Sequence, residues 1–172
     1  MDEIKAIETV EETASPVRRL TLRKPEKLRH RQLVGSLFDL GKSAYEPPLR
    51  MVWRVLTPEE LQFAFRSEVP ERTGRLQMLI TVPKKKRRHA VDRVLMRRRI
   101  REAYRKNRLP LLDYIESHPE IGAVHLAFIY LDDKNADYAT VESKIRNLLK
   151  KAEKRARIFV ETRTQQEGTE EP

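Results

Sequence analysis

Three stretches of the chain combine apolar and β-forming side chains in the pattern of buried strands. They cover residues 49–56, 75–82 and 123–132. The first follows the Pro47-Pro48 pair, which favours an extended entry, and the second stops at Pro83. The pattern predicts a sheet built on these strands.

Apolar residues at helical spacing predict three longer helices, one before, one between and one after the strands. They cover about 26–40, 90–107 and 137–157. Gly41 supplies a stop signal for the first helix, and a further helical turn follows the second. The two element types together predict an α+β fold, a two-layer α/β sandwich with a mixed sheet of about four strands and helices mainly on one face.

Length and charge divide the chain into one domain and two tails. With 172 residues, a single core is expected. Residues 1–17 and 161–172 are acidic and lack periodicity, so we expect disordered tails there, around one domain over 18–160. Residues 57–74 resemble an insertion, which opens with the helix-start signature TPEE.

Composition excludes several classes of protein. The chain has no cysteine, which removes disulfides, cysteine zinc sites and thiol catalysis. Its N-terminus lacks the basic start and apolar run of a signal peptide, and no stretch approaches the roughly 18 apolar residues of a membrane span. We expect a cytoplasmic protein with no membrane association and no required protein partner.

The positive charge of the chain is concentrated in one segment. The formal net charge is +10, from 36 Lys and Arg against 26 Asp and Glu. Residues 84–108 hold 13 of the basic residues and two of the acidic ones, so the remainder has 23 basic and 24 acidic residues. Such a localised excess is the electrostatic footprint of a protein that binds a polyanion.

The helix predicted over 90–107 has two different faces. Met96, Ile100 and Ala103 share one face, with Leu95 and Tyr104 at its margins, and this face is expected to pack on the sheet. Arginines recur every four residues on the other side. They are Arg93, Arg97, Arg101 and Arg105, with Arg98 beside them. Each neighbouring pair of like charges costs roughly a few tenths of a kcal/mol, which bound phosphates would offset.

A run of charge is most often a solvated helix face, and that is the alternative here. It is disfavoured because acidic residues are scarce in the run and because the preceding loop, KKKRRH, adds five more cations. A membrane-binding helix would need bulky apolar residues opposite the arginines, and the apolar face is modest. The charge therefore favours nucleic acid without identifying which one.

The order of strand, basic loop and arginine-rich helix resembles the signature of the bacterial ribonuclease P protein component. That signature has Val-Ser-Lys-Lys, a short loop, Ala-Val, Arg-Asn-Arg-Ile-Lys-Arg, and then Arg-Glu/Gln-Ala-Phe/Tyr-Arg. The resemblance covers about residues 20–157 and is centred on TVPKKKRRHAVDRVLMRRRIREAYRKN. The residues that match in identity or type are Val82, Lys84, Lys85, Ala90, Val91, Arg93, Arg97, Arg98, Arg101, Glu102, Ala103, Tyr104 and Arg105.

Three positions depart from this signature. Val94 and Leu95 stand where the family has Asn and its second Arg, and Pro83 replaces Ser. We expect the RNA contact at Leu95 to be lost, because Leu95 borders the packed face, and Arg99 to restore part of the charge.

The resemblance implies a subunit of a ribonucleoprotein endonuclease, ribonuclease P, which removes the 5′ leader from precursor tRNA. In that family the RNA subunit holds the catalytic Mg2+ ions, and the protein contributes no catalytic side chain and holds no metal by itself. The resemblance also implies a ribosomal-protein-like fold with a left-handed β-α-β crossover around the basic helix.

The resemblance assigns two binding surfaces to this chain. The surface expected to bind the ribonuclease P RNA consists of Lys84, Lys85, Lys86, Arg87, Arg88, Arg93, Arg97, Arg98, Arg101 and Arg105. A cleft between the first helix and the sheet is expected to hold the single-stranded leader through Val34, Phe38 and Trp53. Core packing is the alternative for Phe38 and Trp53. Trp53 alternates with Met51 and Val55, so it could occupy either face.

Two other functions stay open on the sequence. A structural RNA-binding protein, such as a ribosomal component, would use the same helix. A protein-only nuclease would need clustered acidic residues for a metal ion, and Asp132 and Asp133 are the only adjacent aspartates at a strand end, where a turn is the simpler interpretation. The four histidines show no metal-ligand spacing.

Overall fold

The computed structural model describes residues 20–168, so the expected tail over 1–17 lies outside the described residues. The strands in this range are β1 (Lys42–Glu46), β2 (Leu49–Leu56), β3 (Leu76–Thr81) and β4 (Ala123–Tyr130). The α-helices are α1 (Arg31–Leu40), α2 (Pro58–Phe63), α3 (Ala90–Asn107), α4 (Leu109–Glu116) and α5 (Tyr138–Glu167). Within residues 20–168, no helix is long and apolar enough to cross a membrane.

The four strands form one mixed sheet in the order β1-β2-β4-β3. β2 pairs antiparallel with β1 and β4, while β3 pairs parallel with β4. α3 and α4 therefore lie in a crossover between adjacent parallel strands. The predicted α+β fold with a four-stranded mixed sheet is confirmed, and the left-handedness of the crossover stays a prediction.

Helices cover both faces of the sheet, so the expectation that they lie mainly on one face is wrong for α1 and α2. Alternate residues of the central strands, such as Met51 and Phe128, pack in the larger core with α3, α4 and α5. The intervening residues, such as Val52 and Ala127, pack in a second core with α1 and α2. The physical reason is that β4 is apolar on both of its faces, and each face must be shielded from water.

The ends of two predicted helices differ from the structure. The first helix begins at Arg31 rather than near Glu26, because the preceding segment joins the sheet edge, where Leu28 N–H donates to the Met78 carbonyl at 2.9 Å. At the other end, α5 continues to Glu167, so the disordered tail expected over 161–172 is wrong for 161–167, while 169–172 lie outside the described residues. Val160 is buried there and extends the apolar stripe of the helix.

The segment 57–74 opens with a short helix, as its signature predicts. The Glu60 N–H donates to Thr57 Oγ1 at 3.1 Å, and the Thr57 N–H donates to Glu60 Oε2 at 2.9 Å, which forms a capping box. Leu61 is buried against α1 in the second core. The segment thereby closes one end of the sheet on the α1 side.

Candidate RNA interface

α3 has the two faces that its sequence predicts. Met96, Ile100, Ala103 and Tyr104 are fully buried in the larger core. Leu95 is half-buried, as expected for a residue at the border of the packed face. The packing of this face fixes the direction of the arginines on the other side.

Two arginines of the predicted row are engaged within the protein. Arg93 Nη1 donates to the backbone carbonyls of Arg87 and Arg88 at 2.9 and 2.6 Å, which ties the basic loop to the start of α3. Arg105 forms two hydrogen bonds with the Glu102 carboxylate at 2.8 and 2.6 Å. The hydrogen bonds from Arg105 hold the pKa of Glu102 below its usual value. These two arginines stabilise the shape of the surface.

Three other arginines of α3 have free guanidinium groups. Arg98 and Arg101 are exposed and Arg97 is half-buried. None of them forms a hydrogen bond or an ion pair with another residue of the described range 20–168. A guanidinium without an internal partner can bind a phosphate in bidentate fashion and at no cost in broken contacts.

The loop before α3 adds further cations beside these arginines. Lys84, Lys85 and Arg88 border one shallow hollow, together with His89, and Lys86 is exposed next to them. All of them lie at the N-terminal end of α3. The basic loop and the free arginines therefore form one continuous cationic surface along the helix.

Arg87 has a different position from the rest of the loop. Its guanidinium forms an ion pair with Asp92 at 3.0 Å and donates to Asn135 Oδ1 at 2.5 Å and to the Asp133 carbonyl. A hydrogen bond from Asn135 is the main cause that lowers the pKa of Asp92, and the charge of Arg87 adds to it. Arg87 thus joins the loop to the turn after β4, and its predicted role in RNA binding can only be indirect while these contacts persist.

The turn after β4 also accounts for the adjacent aspartates. Asp132 Oδ1 accepts a hydrogen bond from the Lys134 N–H at 3.2 Å, which is the geometry of an Asx turn. Within residues 20–168, no group of three or more His, Asp or Glu side chains is placed to hold a metal ion.

One departure from the signature, Val94, lies on the outer side of α3 together with Val91, which matches the signature. Val91 is 79% exposed and Val94 is 39% exposed, so apolar side chains lie among the free arginines. Arg99, which was expected to restore charge, instead donates to the Ala136 carbonyl at the start of α5. The structure therefore corrects that expectation, because Arg99 points towards α5.

Trp53 does not belong to the expected leader cleft. It is 8% exposed and lies in the larger core, opposite Leu126 of β4 and on the face of the sheet that α3 and α5 cover. The α1 face carries the intervening residues of β2 instead. The assignment of Trp53 to leader binding is therefore wrong, because the alternation of side chains along β2 places Trp53 on the other face of the sheet.

The other two leader candidates, Val34 and Phe38, lie on α1. Val34 is half-buried at the edge of the second core, and Phe38 is 46% exposed. Gln32, Ser36 and Leu40 line a groove on one side of α1. At helical spacing, Val34 and Phe38 project to the opposite side of the helix.

An open strip of the sheet lies on this opposite side of α1. The strand register aligns Tyr45, Arg50, Ile129 and Thr81 in one row across all four strands. Tyr45, Arg50 and Thr81 are exposed, whereas the adjacent row through Val52 is mostly buried under α1. Sequence reasoning missed Tyr45 and Arg50, although alternation with the buried Met51 could have indicated that Arg50 faces the other way.

Comparisons with known proteins agree with the resemblance. A family model for ribonuclease P matches residues 22–153. The ribonuclease P protein component of Chlorobium phaeobacteroides is 34% identical over 119 residues, which are 67% of this chain and 75% of that protein. The one from Porphyromonas gingivalis is 30% identical over 128 residues, which are 74% of this chain and 83% of that protein.

A solved structure supports the fold independently. The RNase P protein from Thermotoga maritima has a TM-score of 0.50 and 22% identity with this chain, over 73% of this chain and 96% of that one. The family match includes α1, the whole sheet and the basic helix, and it favours ribonuclease P over the ribosomal alternative. The chain belongs to the ribonuclease P protein component family.

Proposed function

We propose that this ribonuclease P subunit binds the ribonuclease P RNA through α3 and the basic loop, and the 5′ leader of precursor tRNA through the strip beside α1. The RNA subunit would hold the Mg2+ ions and cleave the substrate, as the family resemblance implies. One observation supports the RNA-binding part above all others. Arg97, Arg98 and Arg101 lie on the side of α3 away from the core and have no hydrogen-bonding or ionic partner within the described residues.

The physical basis of this binding is the neutralisation of phosphates. The free arginines along α3 repel each other in the unbound protein. A bound RNA backbone neutralises their charges, which removes the repulsion, and it releases the counterions of the RNA. Fewer phosphate charges are then left for metal ions to screen. The protein is therefore expected to lower the Mg2+ concentration that the holoenzyme needs, without holding a catalytic metal itself.

The leader would bind on the opposite face of the sheet. Phe38 and Tyr45 are 46% and 58% exposed and offer aromatic surfaces for stacking, while Arg50 supplies a cation on the same row as Tyr45. Single strands are held by this combination of stacking and backbone charge, with little dependence on base identity. That property suits a leader whose sequence differs from one precursor tRNA to another.

The leader site can be tested with substrates of different leader length. We expect Phe38→Ala to weaken holoenzyme binding of a precursor with a long leader by roughly 5- to 150-fold, the range for one lost stacking contact. Binding of a precursor with a one-nucleotide leader should not change. Phe63→Ala is the matched control, because Phe63 is 91% exposed and lies on α2, across α1 from the strip. Equal losses for both substrates would contradict the leader assignment.

A further inference from the structure

The outer face of α5 is a second concentrated basic surface. Residues 143–158 contain seven Lys and Arg and one acidic residue, Glu153. Two of the seven, Lys144 and Lys151, turn towards the sheet and pair with Glu46 of β1. Glu153 is already neutralised by Arg157, at 2.7 Å. The net charge of the whole chain does not reveal this excess of positive charge on α5, because the acidic residues of 1–17 and 161–172 offset it.

Three cations form a row along this face. Arg146, Lys150 and Lys154 follow each other at intervals of four residues, and all three are exposed. Lys150 and Lys154 form no ion pair or hydrogen bond with any residue of the described range. Arg146 already has partners, because it lies 3.8 Å from Glu142 and its Nε donates to Asn107 Oδ1 at 3.3 Å. As on α3, like charges at this spacing repel each other until an anion binds.

The row on α5 continues the surface of α3. The two helices run in the same direction. Arg99 contacts the Ala136 carbonyl just before α5, and Asn107 Nδ2, about two turns further along α3, donates at 3.2 Å to Glu142, which also lies further along the chain than Ala136. Lys106, at the end of α3, borders the same groove as Arg146 and Lys150. The cations of α3 and α5 are thus joined across the groove between the helices.

The position of this row decides which RNA it can reach. α5 covers the face of the sheet opposite to α1. A leader bound on the strip beside α1 is therefore separated from α5 by the sheet itself. The RNA subunit, bound along α3, lies on the same side as the row.

We propose that Arg146, Lys150 and Lys154 bind the sugar-phosphate backbone of the ribonuclease P RNA as a second contact, joined to that of α3 through Lys106. The inference rests on the proposed function, because it takes the RNA bound by α3 as its ligand. The partner is recognised by its phosphates alone, since the row presents cations and no aromatic side chain. The contact strengthens binding without reading the sequence of the RNA.

The test is the salt dependence of RNA-subunit binding by the full chain with Lys150→Gln and Lys154→Gln. Loss of two phosphate contacts should lower the slope of log K against log salt by about 1.4 to 1.8, which is roughly 25- to 60-fold weaker binding at about 0.1 M salt. The control is Arg66→Gln with Arg72→Gln, which removes the same charge from two exposed residues of the 57–74 segment that have no ion pair within residues 20–168. The control should keep the wild-type slope.

Each other outcome overturns a defined part of the proposal. A wild-type slope for Lys150→Gln/Lys154→Gln, with a reduced slope for Arg97→Gln/Arg101→Gln, would refute the α5 contact and leave the proposed function intact. Wild-type slopes for both pairs would refute the proposed function as well. Unchanged binding of the RNA subunit with weaker binding of precursor tRNA by the holoenzyme would also refute the proposal, because the row would then contact the substrate. A matching loss of binding in the Arg66→Gln/Arg72→Gln control would show a general charge effect and overturn it too.

Discussion

Replacing Arg97 and Arg101 with glutamine removes two cations from α3 but no hydrogen bond or ion pair within the described range. Arg101 is exposed, Arg97 is half-buried, and neither has a hydrogen-bonding or ionic partner in the described range. The folded state therefore loses no hydrogen bond or ion pair within the described range, and it gains roughly a few tenths of a kcal/mol from reduced repulsion along the row. The melting temperature should be unchanged or slightly higher.

RNA binding should respond in the opposite direction. Each phosphate contact contributes roughly 0.7 to 0.9 to the slope of log K against log salt, so two lost contacts lower the slope by about 1.4 to 1.8. Replacing both arginines with glutamate should weaken binding further, because each carboxylate repels a phosphate. The assay is equilibrium binding of the cognate RNA subunit over a series of salt concentrations, with thermal unfolding of each variant.

The matched comparison comes from the same row of arginines. Arg93 and Arg105 carry the same charge, but they hold the basic loop and Glu102. Arg93→Gln with Arg105→Gln should lower the melting temperature and change the salt slope less than the first pair does. Equal slopes for both pairs would refute the division of the row into free and engaged arginines, and an unchanged slope for the first pair would refute the orientation of α3.

Three further predictions concern the framework. His125 is fully buried with no hydrogen-bond partner for either ring nitrogen in the described range, and burial lowers its pKa to about 4. Between pH 6.5 and 4 the unfolded chain therefore binds a proton that the folded chain does not, so the free energy of unfolding should fall by up to about 3 kcal/mol over this interval. Chemical denaturation of His125→Leu should show a flatter pH dependence over the same interval. Arg108 is 3% exposed and forms an ion pair with Glu26 at 2.8 Å. Arg108→Met should lower the free energy of unfolding by about 3 kcal/mol, because it leaves the Glu26 charge unpaired, and adding Glu26→Leu should recover part of that loss. A loss below about 1 kcal/mol in urea denaturation would contradict the stabilising role of the pair. A Cβ at Gly122 would lie 2.6 Å from the Thr57 carbonyl oxygen; Gly122→Ala should therefore lower the free energy of unfolding by about 1 to 3 kcal/mol, and a wild-type melting temperature would contradict that close approach.

The sequence predicts the elements that have strong local patterns. The bounds of α3 and β2 follow from them, because each element has a clear apolar periodicity between turn residues. β1 could not be predicted from the sequence, because KSAYE is short and mostly polar and forms a strand through its pairing with β2. The C-terminal part of α5 escapes for a similar reason: its surface is polar, and burial of Val160 against the rest of the domain is a tertiary contact.

In the candidate site, too, local patterns can be predicted from the sequence and tertiary contacts cannot. The arginine row on α3 can be predicted from spacing, but the engagement of Arg93, Arg105 and Arg87 depends on partners that only the fold brings near. Trp53 illustrates a second limit. Period-two alternation groups it with Met51, and only the packing of α3 and α5 decides which face of the sheet is the larger core.

Reconstitution with the cognate RNA subunit tests the central claim most directly. The measurement is the rate of 5′ leader removal from precursor tRNA at low Mg2+, with the wild-type chain, with Arg97→Gln/Arg101→Gln and without protein. The wild-type chain should stimulate cleavage strongly at low Mg2+, and the variant should need a higher protein or Mg2+ concentration for the same rate. An equal rate with and without the wild-type chain would contradict its role as the ribonuclease P subunit described above.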